Sequence, residues 1–145
     1  MLMERWLVYA LLSAVAAAMV GIFGKIGMKD VDSTLATAVR SVVMTLFLLA
    51  VCATLGLWNK LQTIGGRAAG MIALSGVAGA VSWLFYFKAI QVGTVSKVAP
   101  VDKLSMPFAV LLAVLILGER PTVVNWLGVA LVVAGAYLAS LPARP

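Results

Sequence analysis

The stretch GTVSKVAPVDKLSMPFAVLLAVLILGERPT, residues 93–122, decides how this chain folds. Residues 104–118 form a charge-free run of 15 residues, whereas a helix needs roughly 20 apolar residues to cross the hydrocarbon core of a bilayer. A helix that spans must therefore reach back past Asp102 and Lys103, to residues 96–99. The extension places an acid and an amine inside the apolar layer. Each costs roughly 2–3 kcal/mol there and faces protein or water rather than lipid.

Two prolines lie beside this charged doublet. Proline has no backbone N–H, so Pro107 removes the helical hydrogen-bond partner of the Lys103 carbonyl. Pro100 does the same to the Ser96 carbonyl. A kinked helix with freed carbonyls next to buried charge is a common way for membrane proteins to form a polar site at depth. The stretch therefore predicts a small transporter with this helix at its centre.

The composition predicts a membrane protein. Of the 145 residues, 63% are hydrophobic and 11% are charged, whereas soluble domains are about half apolar and a quarter charged. The net charge of +6 does not indicate nucleic-acid binding, because the 11 Lys and Arg residues are scattered singly or in pairs between apolar runs. The predicted partners are a lipid bilayer and a small-molecule solute.

The residue types present argue against an enzyme. The chain has no histidine, which removes the usual zinc sites and the commonest general base. Its one cysteine, Cys52, lies in an apolar run, so there is no disulfide framework. Serines are plentiful, but no paired acids or metal constellation accompany them. We therefore expect no catalytic residues, no metal and no cofactor.

Hydropathy predicts an all-α integral membrane protein whose five transmembrane helices form a single domain. The spans are expected at about residues 6–23, 34–58, 68–87, 97–118 and 122–141. Span two carries Arg40 about 10 Å from its start by helical rise. This side chain either snorkels to the interface or lines a cavity.

Span three ends in the aromatic run WLFYF, residues 83–87. Trp83, Tyr86 and Phe87 share one helical face by their spacing. They serve either packing, including the aromatic belt at the interface, or stacking against a substrate. Lys88 follows them.

The connection from span three to span four is short, so the two spans are expected to be antiparallel neighbours. Folding the chain at Gly93–Thr94 brings Lys88 within about a turn of Asp102, and an ion pair between them is predicted as an option. Lys103 lies about 100° from Asp102 on the same helix, so we expect that these two do not satisfy each other.

Charged and polar groups near the kink make up the predicted substrate- or ion-binding set. Asp102 is the only acid predicted at depth and therefore the leading proton or cation carrier. The local excess of lysine favours a substrate with a carboxylate or phosphate, or a zwitterion such as an amino acid. The alternative is a structural set of ion pairs holding spans three and four. The candidate residues are Asp102, Lys103 with its carbonyl, Ser105, Lys88, Lys97, Trp83, Tyr86 and Arg40, with Pro100 and Pro107 as the kink.

Basic residues are nearly balanced between the two predicted faces of the membrane, so the positive-inside rule gives little orientation. A balanced chain with an odd number of spans can insert both ways. Two copies inserted oppositely would form an antiparallel homodimer of ten helices, equivalent to the inverted repeats of larger transporters. The alternative is a parallel dimer or one fixed orientation. The compared residues are Arg5, Lys60, Arg67 and Arg120 on one face and Lys25, Lys29, Lys88, Lys97 and Arg144 on the other.

Several motifs follow one another through the second half of the chain: SWLFYFKAIQVG (82–93), S-x-V-x-P (96–100), DKLSMP (102–107), LGER (117–120), W-x-G (126–128) and GAYL (135–138). With these motifs, residues 83–140 resemble the second half of an EamA domain of the drug/metabolite transporter superfamily. The chain is similar to its short, single-repeat bacterial and archaeal members.

The resemblance implies a prokaryotic cell-membrane protein in which two copies form a ten-helix unit with alternating access around a central site. It also implies that the Gly118–Glu119 turn is a helix-capping or loop feature rather than a substrate ligand. The chain departs from the four-span multidrug exporters of the same superfamily, which carry a glutamate deep in their first span. Here Glu4 precedes Trp6, at the expected membrane surface.

The predicted function is a secondary transporter that takes up or exports a small polar metabolite. The alternative is a membrane partner that does not itself transport, or a subunit of a lipid-linked-sugar flippase.

Overall fold

The computed structural model describes residues 3–141, with side chains from residue 5 onward. Within that range every regular element is a helix, and 5 helical segments are long and apolar enough to cross a membrane. These segments are Arg5–Gly27, Ser33–Thr54, Gly66–Val92, Val95–Leu117 and Val123–Ser140. The prediction of an all-α protein with five membrane-spanning helices is therefore confirmed.

We number the α-helices in chain order. They are α1 (Met3–Gly27), α2 (Ser33–Thr54), α3 (Gly66–Val92), α4 (Val95–Asp102), α5 (Ser105–Leu112) and α6 (Val123–Ser140). A 3₁₀ helix, Leu57–Thr63, follows α2, and a π-helical segment, Ala113–Leu117, continues α5. Helix α3 continues beyond its predicted end at residue 87, so Lys88 lies within it.

Span four does not run as one regular α-helix, although its backbone stays in the right-handed helical region at residues 103 and 104. Helix α4 ends at Asp102, residues 103–104 form a turn, and α5 begins at Ser105. The Lys103 carbonyl accepts a hydrogen bond from the Met106 N–H at 3.0 Å, so the expectation that it is freed is wrong. Because the chain restarts a helix here, Pro107 lies in a first turn, where a missing N–H costs no helical hydrogen bond. Pro100 lies inside α4.

Gly118 ends the fourth span in the left-handed conformation, with φ 70°, which glycine adopts without the clash of a Cβ. The Glu119 N–H donates to the Ala113 carbonyl at 3.2 Å. The capping role expected for this turn is therefore confirmed for Gly118. Thr122 then starts α6 in a capping box with Asn125, which satisfies N–H groups at the new helix end.

The chain divides into two compact units, residues 23–91 and residues 3–22 with 92–141. In the second unit α4 and α5 pack against α6, where Val129 and Ala136 are buried. Large hydrophobic side chains along all the spans are otherwise exposed on the single chain, which is the surface that a bilayer requires. That the chain forms a single transmembrane domain stays a prediction.

The core of residues 23–91 lies where α1 ends, α2 begins and α3 ends. The Lys25 ammonium group donates to the carbonyls of Ile90 and, at 3.3 Å, Gln91 at the end of α3. The Gln91 side-chain amide donates to the Val31 carbonyl at 2.9 Å. These bonds join three helix ends whose backbone groups would otherwise lack partners. The buried side chains beside them are Met28, Ser33, Thr37, Phe87 and Ile90.

We predict that Gly24→Ala destabilises the protein. A Cβ at Gly24 would lie 2.2 Å from Cε1 of Phe87, whose ring is 2% exposed and stacked on Trp83. Overpacking of this kind costs about 1–3 kcal/mol, so the thermal unfolding midpoint in detergent should fall. Gly27→Ala is the matched control in the same helix, because a Cβ there meets nothing within 4 Å. Equal midpoints for the two variants would contradict the packing described.

Candidate functional site

The acid and amine of span four form an ion pair. The Lys103 Nζ atom lies 3.4 Å from Oδ2 of Asp102, so the expectation that these two do not satisfy each other is wrong. That expectation assumed a continuous helix. Lys103 instead caps α4 with ψ −7°, and its flexible side chain reaches back to the carboxylate. The Asp102 side chain is 32% exposed and that of Lys103 is 61% exposed on the single chain.

The ion pair lies within a segment that can cross the membrane. The fourth span begins at Val95, so Asp102 is about 10 Å from its start by helical rise. Residues 105–117 alone give about 20 Å of helix, less than the roughly 30 Å of a hydrocarbon core. A crossing that began only after the doublet would therefore be too short. Ser105 starts α5 next to the pair, and Lys97 is exposed in the first turn of α4.

A second cluster lies between α2 and α3, within residues 23–91. The Arg40 Cζ atom is 3.7 Å from the centroid of the Trp83 ring and 5.1 Å from that of Phe87. Trp83 and Phe87 are stacked at 5.5 Å, and Tyr86 meets Trp83 edge to face at 5.7 Å. The prediction that the three aromatic residues share a face is confirmed.

Arg40 contacts Trp83 well inside α3. Trp83 lies about 13 Å from the end of α3 at Val92 by helical rise, and the guanidinium covers its ring. Arg40 therefore packs against the aromatic face of α3. Whether its charge snorkels to the interface or lines a cavity stays a prediction with two alternatives. A role for Arg40, Trp83 or Tyr86 in binding a solute stays a prediction.

Lys88 is exposed on α3, and its charge acts on Asp32. The pKa of Asp32 is lowered mainly because the N–H groups of Leu35 and Thr34 donate to its carboxylate, at 3.1 and 2.8 Å, and the Lys88 charge lowers it further. Asp32 thereby caps α2. The Lys88–Asp102 pair stays a prediction.

Sequence reasoning missed the roles of Asp32, Lys25 and Gln91. Asp32 had a local signal, since an aspartate directly before Ser33–Thr34 is a typical N-cap. Lys25 and Gln91 had none, because the carbonyls they bind are 60 or more residues away.

No group of three acidic, histidine or cysteine side chains in the described part of the chain is placed to hold a metal ion. A half-open pocket of about 380 Å³ lies at the end of span four, and it contains none of the predicted site residues. Its lining is Val110, Glu119, Arg120, Pro121 and Asn125.

Comparison with known proteins agrees with the fold. Residues 4–141 match the model of the EamA-like transporter family. A Sinorhizobium protein named "uncharacterized transporter in cobO 3′ region" is 44% identical over 135 residues, which cover 93% of this chain and 96% of that relative. No solved structure matches the chain significantly.

The lowered pKa of Asp32 predicts a pH-dependent contribution to stability. This contribution is fully present above the unfolded-state pKa of about 3.9 and is lost as the pH falls through the lower folded-state pKa. Asp32→Asn keeps a capping oxygen without titrating, whereas Asp32→Ala removes the cap. At pH 6 the thermal unfolding midpoint in detergent should be highest for the wild type, lower for Asp32→Asn and lowest for Asp32→Ala.

Towards pH 3 the wild-type midpoint should approach that of Asp32→Asn. A constant difference between these two proteins from pH 6 to pH 3 would contradict the role given to the Asp32 carboxylate.

Proposed function

Because this chain belongs to the EamA-like transporter family, we propose that it is a secondary transporter of a small polar metabolite that carries a carboxylate, such as an amino acid. Membership of a transporter family and the name of the Sinorhizobium relative point to transport rather than to an enzyme. Family membership supports a transporter role, and to this role we add a proposed class of solute and a proposed binding site. The proposed setting is the cell membrane of a prokaryote.

The observation that carries the proposal is the Asp102–Lys103 ion pair at the break between α4 and α5. Ionisable residues inside membrane spans typically mark the path of a substrate or an ion. Secondary transporters also commonly place their substrate sites where a span departs from a regular α-helix. Both features occur here at one turn of the chain.

The pair suits a zwitterion because each half can exchange partners. A substrate ammonium group can replace Lys103 on Asp102 while the substrate carboxylate takes Lys103. Charge stays balanced during this exchange, which avoids an uncompensated ion in lipid. The Ser105 hydroxyl, which can donate and accept, is the next polar group on the chain.

Transport also requires that binding differ between two conformations. The turn at residues 103–104 separates α4 from α5, and we place the change of angle between the two half-helices there. Asp102 is the residue that we propose for the coupling proton or cation. Lys88, Trp83, Tyr86 and Arg40 remain proposed contacts of the solute.

We further propose that two copies of the chain assemble as an antiparallel homodimer. In the described residues the buried hydrophobic side chains are Met28, Phe87, Ile90, Val129 and Ala136. Most apolar side chains are therefore left for lipid or a second chain to cover. Ten helices can surround a site at the membrane midplane, as the inverted halves of larger transporters do.

The transport proposal predicts that Asp102→Asn and Lys103→Gln each reduce flux at least about tenfold, equivalent to 1.4 kcal/mol. The assay is uptake of labelled amino acids and carboxylates into proteoliposomes. Glu119→Gln and Arg120→Gln form the matched control, because this second acid–base doublet lies beyond the end of span four. Unchanged flux in both Asp102→Asn and Lys103→Gln would refute the site. A chain without flux that copurifies with another membrane protein would favour a flippase subunit instead.

The dimer proposal predicts that a single cysteine in the loop of residues 28–32 is labelled from both sides of the membrane. Cys52 is replaced by serine first, and an impermeant maleimide is applied to intact cells and to inverted vesicles. Labelling of the loop from one side only would reject dual orientation.

A further inference from the structure

The guanidinium of Arg40 lies flat on an aromatic wall. At 3.7 Å from the centroid of Trp83 its plane must be nearly parallel to the indole, because an edge-on approach would force a nitrogen into the ring carbons. The contact with Trp83 therefore uses the face of the guanidinium. Its edge, which carries five N–H donors, is not used by the stack.

The described residues supply no anion for that edge. Among side chains 5–141 the rings that the Arg40 guanidinium contacts are those of Trp83 and Phe87, and the ion pair found there is Lys103–Asp102. Asp32 is occupied by N–H groups at the start of α2. Arg40 is half-buried inside a membrane span, where a cation without an acceptor is costly. The rings offset the charge in part, but they accept none of its N–H groups in its plane.

We propose that Arg40 binds the carboxylate of the transported solute through a bidentate pair in the conformation in which Lys103 stays paired with Asp102, with Trp83 as the residue that positions the guanidinium plane. The inference rests on the proposed transport function for the identity of the ligand. Guanidinium and carboxylate are both planar and match in two parallel N–H···O bonds. Because Trp83 covers one face of the guanidinium, its N–H donors are left for a ligand in its plane. A carboxylate and a phosphate can both take two of these donors, and the proposed solute selects the carboxylate.

The geometry also separates arginine from lysine at this position. A lysine would keep the charge, but it has neither the fork nor the flat face that stacks on an indole. Arg40→Lys is therefore the variant that tests recognition rather than charge. Trp83→Tyr keeps an aromatic face for the stack, whereas Trp83→Leu removes it.

The test is calorimetric titration of the purified full-length chain with succinate, glutamate, alanine and propionate. We expect saturable binding of at least one of these, and no binding of its uncharged amide analogue. Arg40→Lys should weaken the binding at least about tenfold. Trp83→Leu should weaken it as well, Trp83→Tyr should retain it, and Lys29→Gln, an exposed loop change, should leave it unchanged.

Several results would overturn the proposal: no saturable carboxylate binding, equal binding of the amide, equal affinity in Arg40→Lys, or inorganic phosphate bound as tightly as the carboxylates. The carboxylate–amide comparison uses the unmodified chain, so it tests whether binding requires a carboxylate even if a variant fails to fold.

Two further experiments show whether the anion at Arg40 is a solute or a lipid headgroup, and distinguish failure of this inference from failure of the transport proposal. Titration in phosphatidylcholine nanodiscs, with and without phosphatidylglycerol, should give equal affinities; strong competition by the anionic lipid would assign Arg40 to a lipid headgroup and overturn the solute claim. Binding that depends on Arg40 without any flux would refute transport and leave this inference standing. Flux and binding that are unchanged in Arg40→Lys would support transport and refute this inference.

Discussion

A charge carried into a bilayer by a helix has to be satisfied by protein or by water, and this constraint accounts for the most informative parts of the structure. Span four reaches membrane length only if it includes Asp102 and Lys103. An ion pair at 3.4 Å, at a turn where the α-helix is interrupted, offsets the free-energy cost of placing these two charges in the bilayer. For Arg40 this cost is offset in part by stacking of the guanidinium on Trp83. The ion pair is neutral by itself, whereas the stack leaves N–H donors for a ligand.

Near Arg40, Trp83 and Phe87, side chains hold the ends of three helices together. Lys25 and Gln91 bind carbonyls from distant parts of the chain, and Asp32 caps α2. Phe87 fills the space beside Gly24 and stacks on Trp83. This tight packing fixes the ring that orients Arg40, so the fold of residues 23–91 and its candidate binding group depend on the same contacts.

The number and type of helices followed from the sequence because each long apolar run has a single stable form in lipid. The end of α3 did not follow, since Lys88 and Gln91 suggest a loop when only local polarity is considered, yet Gln91 binds the Val31 carbonyl within the fold. Both expectations about Lys103 were wrong for the same reason. A new helix begins just before Pro107, so the Lys103 carbonyl accepts a hydrogen bond from the Met106 N–H and the Lys103 ammonium group pairs with Asp102. Asp102, Lys103 and Arg40 were identified from their depth, whereas their actual neighbours depended on tertiary structure.

The depth of the doublet is the point on which the account of transport depends, and spin-label depth in vesicles measures it most directly. A nitroxide at Val101→Cys, on an exposed side chain beside Asp102, is compared with one at Val123→Cys, where α6 begins, both in a Cys52→Ser background. The account predicts that the label at 101 lies about 9 Å below its nearer membrane surface by helical rise, clearly deeper than the label at 123. A label at 101 that is no deeper than the one at 123 would contradict it.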